Sequence, residues 1–251
     1  PGDKSISHRA LILSALAEGS SEITGLLEGD DVLATANGLG QVGVKIEMIK
    51  GQQCRVQGVG LTGLTAPDAP LDLGNSGTGF RLLSAVLAGQ TFASVLTGDH
   101  SLRKRPMKRI IDPLTLMGAT IHSGEGGHPP LKIYGRYPLT SIEYELPIAS
   151  AQTKSAVLLA GLSANGVTRV REPAQTRDHT ERMLAGFGCP VEVSRGVISL
   201  CGGAQLSGRT FSVPRDFSSA AFFLVGALIG SESGLTLPGV GINPTRTGAL
   251  D

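Results

Sequence analysis

The chain has 251 residues, 41% of them hydrophobic, with a formal net charge of +1, so it can bury a sizeable core as one large domain or two modest ones. The balanced charge excludes a global field for nucleic acid or an anionic membrane surface, and no apolar run reaches the ~18 residues of a spanning helix. Three cysteines, Cys54, Cys189 and Cys201, have no metal-ligand spacing and leave one thiol over in any disulfide scheme. They point to a reducing, cytoplasmic setting with all three thiols packed and inert.

In chain order, four segments open alike, with a polar turn running into a small-residue apolar stretch that stops at glycine. The first runs from Lys4-Ser5 to Gly19, the second from Asn75-Ser76-Gly77-Thr78 to Gly89. The third runs from Ser150-Ala151-Gln152 to Gly161, and the fourth from Asp216-Phe217-Ser218 to Gly230. Each reads as a helix with a hydroxyl-bearing start and a glycine stop, apolar on nearly every face and therefore buried. A short strand follows each, at 22–24, 93–96, 167–170 and 235–237. Amphipathic helices are then expected over 31–41, 107–117 and 178–187, each closed by a glycine (Gly43, Gly118, Gly188) and followed by a strand. Final strands fall at 54–59, 131–134 and 197–201. The unit is βαβαββ-like, recurs about every 70 residues, and is present three times. A fourth copy opens near Phe211 and reaches its second helix at Asp251, so further chain is expected beyond it.

Three of the apolar helices begin with residues suited to anions: Lys4, Ser5 and Arg9; Asn75, Gly77, Thr78 and Arg81; Ser150, Gln152 and Lys154. Helix N-termini carry free N–H groups and partial positive charge, and symmetric repeats would aim them the same way. Arginine adds bidentate contacts and lysine a compact charge. Taken singly, each feature has a plainer reading: a hydroxyl as a cap, Arg81 in a structural pair, the basic run 103–105 as a solvated face. The five histidines have no ligand spacing, and no Gly-x-Ser-x-Gly, Walker or Gly-x-Gly-x-x-Gly motif is present. The residues alone support an anion-binding α/β repeat enzyme acting on phosphates.

Five ordered motifs carry a resemblance. Pro1-Gly2-Asp3-Lys4-Ser5-Ile6-Ser7-His8-Arg9-Ala10 resembles the opening motif of the 5-enolpyruvylshikimate-3-phosphate synthases. Leu73 to Arg81, Arg103 to Met107, Ser150 to Ala156 and Thr176 to Glu181 are similar to four more. The style is that of the bacterial second class. The resemblance implies an inverse α/β barrel-like enolpyruvyl transferase fold of repeated βαβαββ units, whose buried helices point their N-termini at an interdomain cleft. It divides the chain into a three-unit domain over 4–208 and the opening of a second over 209–251, a piece expected to turn nothing over by itself. It implies transfer of the enolpyruvyl group of phosphoenolpyruvate to the 5-hydroxyl of shikimate-3-phosphate by a cytoplasmic monomer. No metal, organic cofactor, nucleic acid or membrane partner is implied.

By the same resemblance Lys4, Ser5, Arg9, Ser150, Ala151, Gln152 and Arg177 hold shikimate-3-phosphate. Lys4, Gly77, Arg105 and Gln152 border phosphoenolpyruvate, where glyphosate also binds, and Lys4 and Arg105 serve catalysis. The family's proton-transfer residues lie beyond Asp251. Two rivals remain: the sister transferase acting on UDP-N-acetylglucosamine, which carries Lys-Asn where this chain has Lys4-Ser5, and a non-catalytic phosphate-binding module.

Overall fold

A computed structural model describes residues 1–230 and 234–250. The first unit contains α1 (Lys4–Leu16), β1 (Glu18–Thr24), α2 (Asp30–Gln41), β2 (Lys45–Ile49) and β3 (Gln53–Val59). The second contains β4 (Leu71–Asp72), α3 (Gly77–Ala88), β5 (Ala93–Thr97), α4 (Lys108–Leu116), β6 (Thr120–His122) and β7 (Leu131–Tyr134). In the third, β8 (Leu139–Thr140) and β9 (Glu143–Glu145) precede α5 (Ala151–Gly161). Then come β10 (Ala164–Asn165), β11 (Val167–Arg171), α6 (His179–Gly186), β12 (Val191–Ser194) and β13 (Val197–Cys201). The chain continues through β14 (Thr210–Ser212) and α7 (Phe217–Gly230).

Three sheets share one plan. The orders are β4-β5-β7-β6, β9-β11-β13-β12 and β14-β1-β3-β2, with the first pair parallel and the rest antiparallel. The leading strand of the first unit is therefore β14, supplied by the chain after it has completed the third unit. This return fixes the opening segment: Asp3 N–H donates to Pro214 O (2.8 Å) and Asp216 N–H to Pro1 O (2.9 Å).

Helices α1, α3 and α5 fill the space between the sheets, and Ala10 to Leu13, Leu82, Ala85, Ala156, Val157 and Leu158 are fully excluded from solvent. Their composition, small and aliphatic on all sides, suits a position surrounded by other elements. The repeat is also written in glycine. A Cβ at Gly58, Gly135 or Gly202 would come within 2.1 Å of Ala17 O, 2.3 Å of Gln90 O and 1.9 Å of Ala164 O respectively. In each unit the final strand thus runs against the carbonyl end of the buried helix, where only glycine fits. The turn glycines Gly43, Gly118 and Gly188 take φ values of 93°, 103° and 99°, as a helix-ending glycine requires.

Four expectations are corrected. Helix α7 is not buried: Phe222, Leu228 and Ile229 are each more than 80% exposed, and only Phe217 and Ala220 are buried. No described element of the chain covers that face. The strand expected at 235–237 does not form, because a strand needs ladder neighbours and the fourth copy's leading strand, β14, is spent on β1. Instead of a second amphipathic helix only a short turn, Gly248–Leu250, is found; Asp251 lies outside the described residues. Cys201 is exposed at the end of β13, while Cys54 and Cys189 are buried. Burial pushes the Cys54 thiol up to about 11. Strands after the turn glycines start two or three residues later than the pattern suggests, a boundary effect of the turn. Among the described residues no helix is long and apolar enough to cross a membrane.

Candidate functional site

Four helix starts open onto one cleft of about 300 Å³. Lys4 and Ser5 begin α1, Thr78 begins α3, Ala151 and Gln152 begin α5, and Ser218 begins α7; Arg9, Arg177, His179, Asp216 and Arg246 complete the wall. Each helix start is capped. Asp3 accepts from Ile6 N–H (2.9 Å), Ser76 from Gly79 N–H (3.2 Å), Ser150 from Thr153 N–H (3.3 Å) and Asp216 from Ser219 N–H (3.1 Å). Capping satisfies part of each end's orphan donors; the remainder, with the helix dipole, favours an anion at the cleft.

Arg9 is 4% exposed. It donates from Nε to Thr180 Oγ1 (2.6 Å), from Nη2 to Ser155 Oγ (2.6 Å) and from Nη1 to the Ser5 carbonyl (2.8 Å). Burial lowers its pKa to about 10, against the pull of Glu181, so it stays a cation at neutral pH. Arg177 is exposed on the rim, its Nη1 3.5 Å from Ser5 Oγ. Burial of part of the group and repulsion from Arg246 hold its pKa below the usual range. Lys4 is half exposed and pairs with Asp31. Burial works against the Asp216 carboxylate, but the Lys4 and Ser219 N–H groups and Arg246 together hold its pKa below the ordinary value.

The second cationic cluster adjoins this cleft. Arg81 Nη1 donates to Gln152 Oε1 (2.9 Å) and to Gly77 O (3.1 Å), and Gln152 Nε2 donates to Thr78 Oγ1 (2.9 Å). Arg105 bonds to the Asn75 side chain, which in turn donates to Asp99 Oδ2 (2.8 Å). Burial, then repulsion from Arg105 and Arg109, lowers the Arg81 pKa. Cations gathered with so few counter-charges are what an anionic ligand would neutralise. Gly77 is the floor here: a Cβ would stand 2.8 Å from Arg105 Nη1 and 3.0 Å from Arg81 Nη1.

Among the residues singled out from sequence, Lys4, Ser5, Arg9, Ala151, Gln152 and Arg177 line the cleft, and Gly77 and Arg105 form the adjoining cluster. Ser150 stands at the start of α5 with its hydroxyl engaged as the cap. Lys154 does not face the cleft at all. It is 1% exposed and bound to Glu172 and Glu181, because its place in the second turn of α5 points it into the protein rather than off the helix start. Sequence reasoning missed Asp216, His179 and Arg246 as cleft residues. Arg246 reaches Ser218 Oγ (2.8 Å) and Asp216 (3.4 Å) across 30 residues of chain, a pairing without local signal. His179 is drawn in by Asn243, whose Nδ2 lies 3.3 Å from Nδ1; an amide N–H there leaves the imidazole proton on Nε2. Burial above all lowers the His179 pKa to about 4. Among the described residues no three His, Cys, Asp or Glu side chains gather as metal ligands.

Repeated units around buried helices, with cationic side chains at converging N-termini, define an α/β repeat protein whose cleft carries the local positive charge that favours an anion. Comparison with known proteins makes the assignment specific. The profile of the family described as EPSP synthase (3-phosphoshikimate 1-carboxyvinyltransferase) matches residues 1–251. The 3-phosphoshikimate 1-carboxyvinyltransferase of Alkalilimnicola ehrlichii is 61% identical over the whole chain, which covers 56% of that relative. The protein of the same name from Acidithiobacillus ferrooxidans is 61% identical with 58% covered. The solved EPSP synthase of Acinetobacter baumannii superposes with a TM-score of 0.93 at 54% identity, over 100% of this chain and 56% of that one. The chain belongs to the EPSP synthase family. It spans between 56% and 58% of the length of these relatives.

Proposed function

We propose that the protein carrying this chain transfers the enolpyruvyl group of phosphoenolpyruvate to the 5-hydroxyl of shikimate-3-phosphate and releases phosphate. The observation that carries this reading is the convergence of four helix starts on a cleft lined by Lys4, Arg9 and Arg177. Family membership supplies the chemistry. The shikimate hydroxyl adds to C2 of the enolpyruvate as a proton enters at C3; the C2–O bond to phosphate then breaks and the C3 proton leaves, restoring the double bond.

In this reading the cleft end built by Ser5, Arg9, Ser150, Ala151, Gln152 and Arg177 holds shikimate-3-phosphate, and Gly77, Arg105 and Gln152 border phosphoenolpyruvate. Lys4 stands between them. The cations offset phosphate and carboxylate charge and align the reacting atoms, and preorganised charge of this kind acts most strongly on the transition state. The reading includes a cytoplasmic monomer that needs no metal. A phosphate-release assay tests it: release from phosphoenolpyruvate is expected only when shikimate-3-phosphate is present, and undiminished in excess chelator. Release that ignores shikimate-3-phosphate, or that a divalent ion restores after chelation, contradicts it.

A further inference from the structure

Behind the cleft wall lies charge that no ligand reaches. Lys154 is 1% exposed, and its Nζ lies 3.1 Å from Glu172 Oε2 and 2.7 Å from Glu181 Oε1. Taking an ammonium and two carboxylates out of water costs several kcal/mol per ion, and apolar side chains of similar volume often fill such a space at no loss of stability. Stability alone therefore does not account for the triad. Its members come from three stretches of chain: α5, the segment after β11, and α6.

Each member is bonded to, or adjoins in sequence, a residue that bonds or directly precedes a cleft arginine. Glu172 Oε2 also accepts from Thr176 N–H (3.2 Å) and from the Thr176 hydroxyl (2.7 Å), which folds 172–176 into the turn directly before Arg177. Glu181 directly follows Thr180, whose Oγ1 receives Arg9 Nε. Lys154 directly precedes Ser155, whose Oγ receives Arg9 Nη2 and lies 2.6 Å from Thr180 Oγ1. One cation against two carboxylates leaves a negative charge over, and Glu181 spends it on Arg9 by favouring the charged guanidinium.

We propose that the buried Lys154–Glu172–Glu181 triad is a positioning device that fixes Arg9 and Arg177 against each other and so sets how strongly the cleft discriminates a phosphorylated ligand from its unphosphorylated counterpart. The inference rests on the shikimate-3-phosphate reading above. Breaking the triad moves the two guanidinium groups apart without removing either.

The test compares calorimetric affinities for shikimate-3-phosphate and shikimate, with melting temperatures, in the unsubstituted protein, Lys154→Met and Thr176→Val. Lys154→Met strands two buried carboxylates and can fail to fold. Thr176→Val removes one hydroxyl contact to Glu172 and keeps the buried charges paired. Positioning predicts that Thr176→Val weakens shikimate-3-phosphate about fivefold and shikimate less than about twofold, with little change in melting temperature. A folded Lys154→Met is expected to lose more of the same preference. An unchanged ratio of the two affinities in Thr176→Val overturns the inference while leaving the functional reading standing. If the unsubstituted protein does not prefer the phosphorylated ligand, the functional reading fails first and takes this inference with it.

Discussion

The Arg9 end of the cleft and the Gly77–Arg105 end that adjoins it hold their cations in opposite ways. At the Arg9 end the cation is buried, its three hydrogen bonds are fixed, and ion-paired charge backs it from behind. At the Gly77–Arg105 end the guanidinium groups of Arg81 and Arg105 stand partly open beside a glycine and repel one another. A buried, satisfied cation is preorganised and costly to disturb; a solvated one can adjust to its ligand. Recognition of a constant group suits the first, and a substrate that must enter, react and leave suits the second.

The sharpest test of that contrast is Lys4, which the functional reading sets between the two ends. Lys4→Met is expected to lower turnover at least about a thousandfold, yet to leave the melting temperature nearly unchanged, because the side chain is half exposed. Turnover near that of the unsubstituted protein would take Lys4 out of the chemistry. Next in size is Arg9→Met against Arg105→Met. The first removes charge-assisted bonds to the buried Thr180 and Ser155 hydroxyls, which keep each other as partners, and is expected to cost about 3 kcal/mol of stability as well as shikimate-3-phosphate binding. The second is expected to weaken phosphoenolpyruvate with no loss of stability. Urea denaturation of both variants reads the difference, and equal destabilisation would erase the distinction between the ends.

Much of this arrangement is legible in the sequence, for a reason visible in α1, α3 and α5. Their starts carry the cationic and hydroxyl residues, and the rest of each helix is apolar throughout, so position and burial agree. The same composition misleads at α7, where the apolar pattern is as strong but no described element covers Phe222 or Leu228. Composition records what a helix can bury, and packing partners decide whether it does. Lys154 is the converse case. It is a cation near a helix start that looks like a ligand contact, but two residues past Gln152, about half a turn of helix, put it behind the wall. The parallel pairing of β14 with β1 joins residues nearly 190 apart, and no local pattern announces that.

Gly77→Ala probes the open end more gently. Gly77 has ordinary backbone geometry, so the new methyl group meets only the movable ends of Arg105 and Arg81. Glyphosate, which the family resemblance implies binds in the phosphoenolpyruvate site, is expected to lose about tenfold in affinity, about 1.4 kcal/mol, with a smaller rise in the KM for phosphoenolpyruvate. Equal weakening of both ligands would mean that the start of α3 is distorted as a whole.

The remaining effect is a slope in pH. His8 is buried with Nε2 unpartnered, and burial, then Arg9, depresses its pKa to about 3; His179 sits at about 4. Between these values and 6.5 the unfolded chain binds protons that the folded one refuses. Stability is therefore full above pH 6.5 and falls as the medium is acidified, by up to about 1.4 kcal/mol per pH unit for each histidine. His8→Asn is expected to flatten that limb between pH 6 and about 4. An unchanged slope would show that His8 takes up its proton within the fold.

The most direct measurement is a crystal structure of the protein soaked with shikimate-3-phosphate. The account predicts the ligand's phosphate among Ser5, Arg177 and the start of α5, with Arg9 unmoved behind them. A phosphate bound beside Gly77 and Arg105, or a ligand seated outside the cleft of converging helix starts, would contradict it.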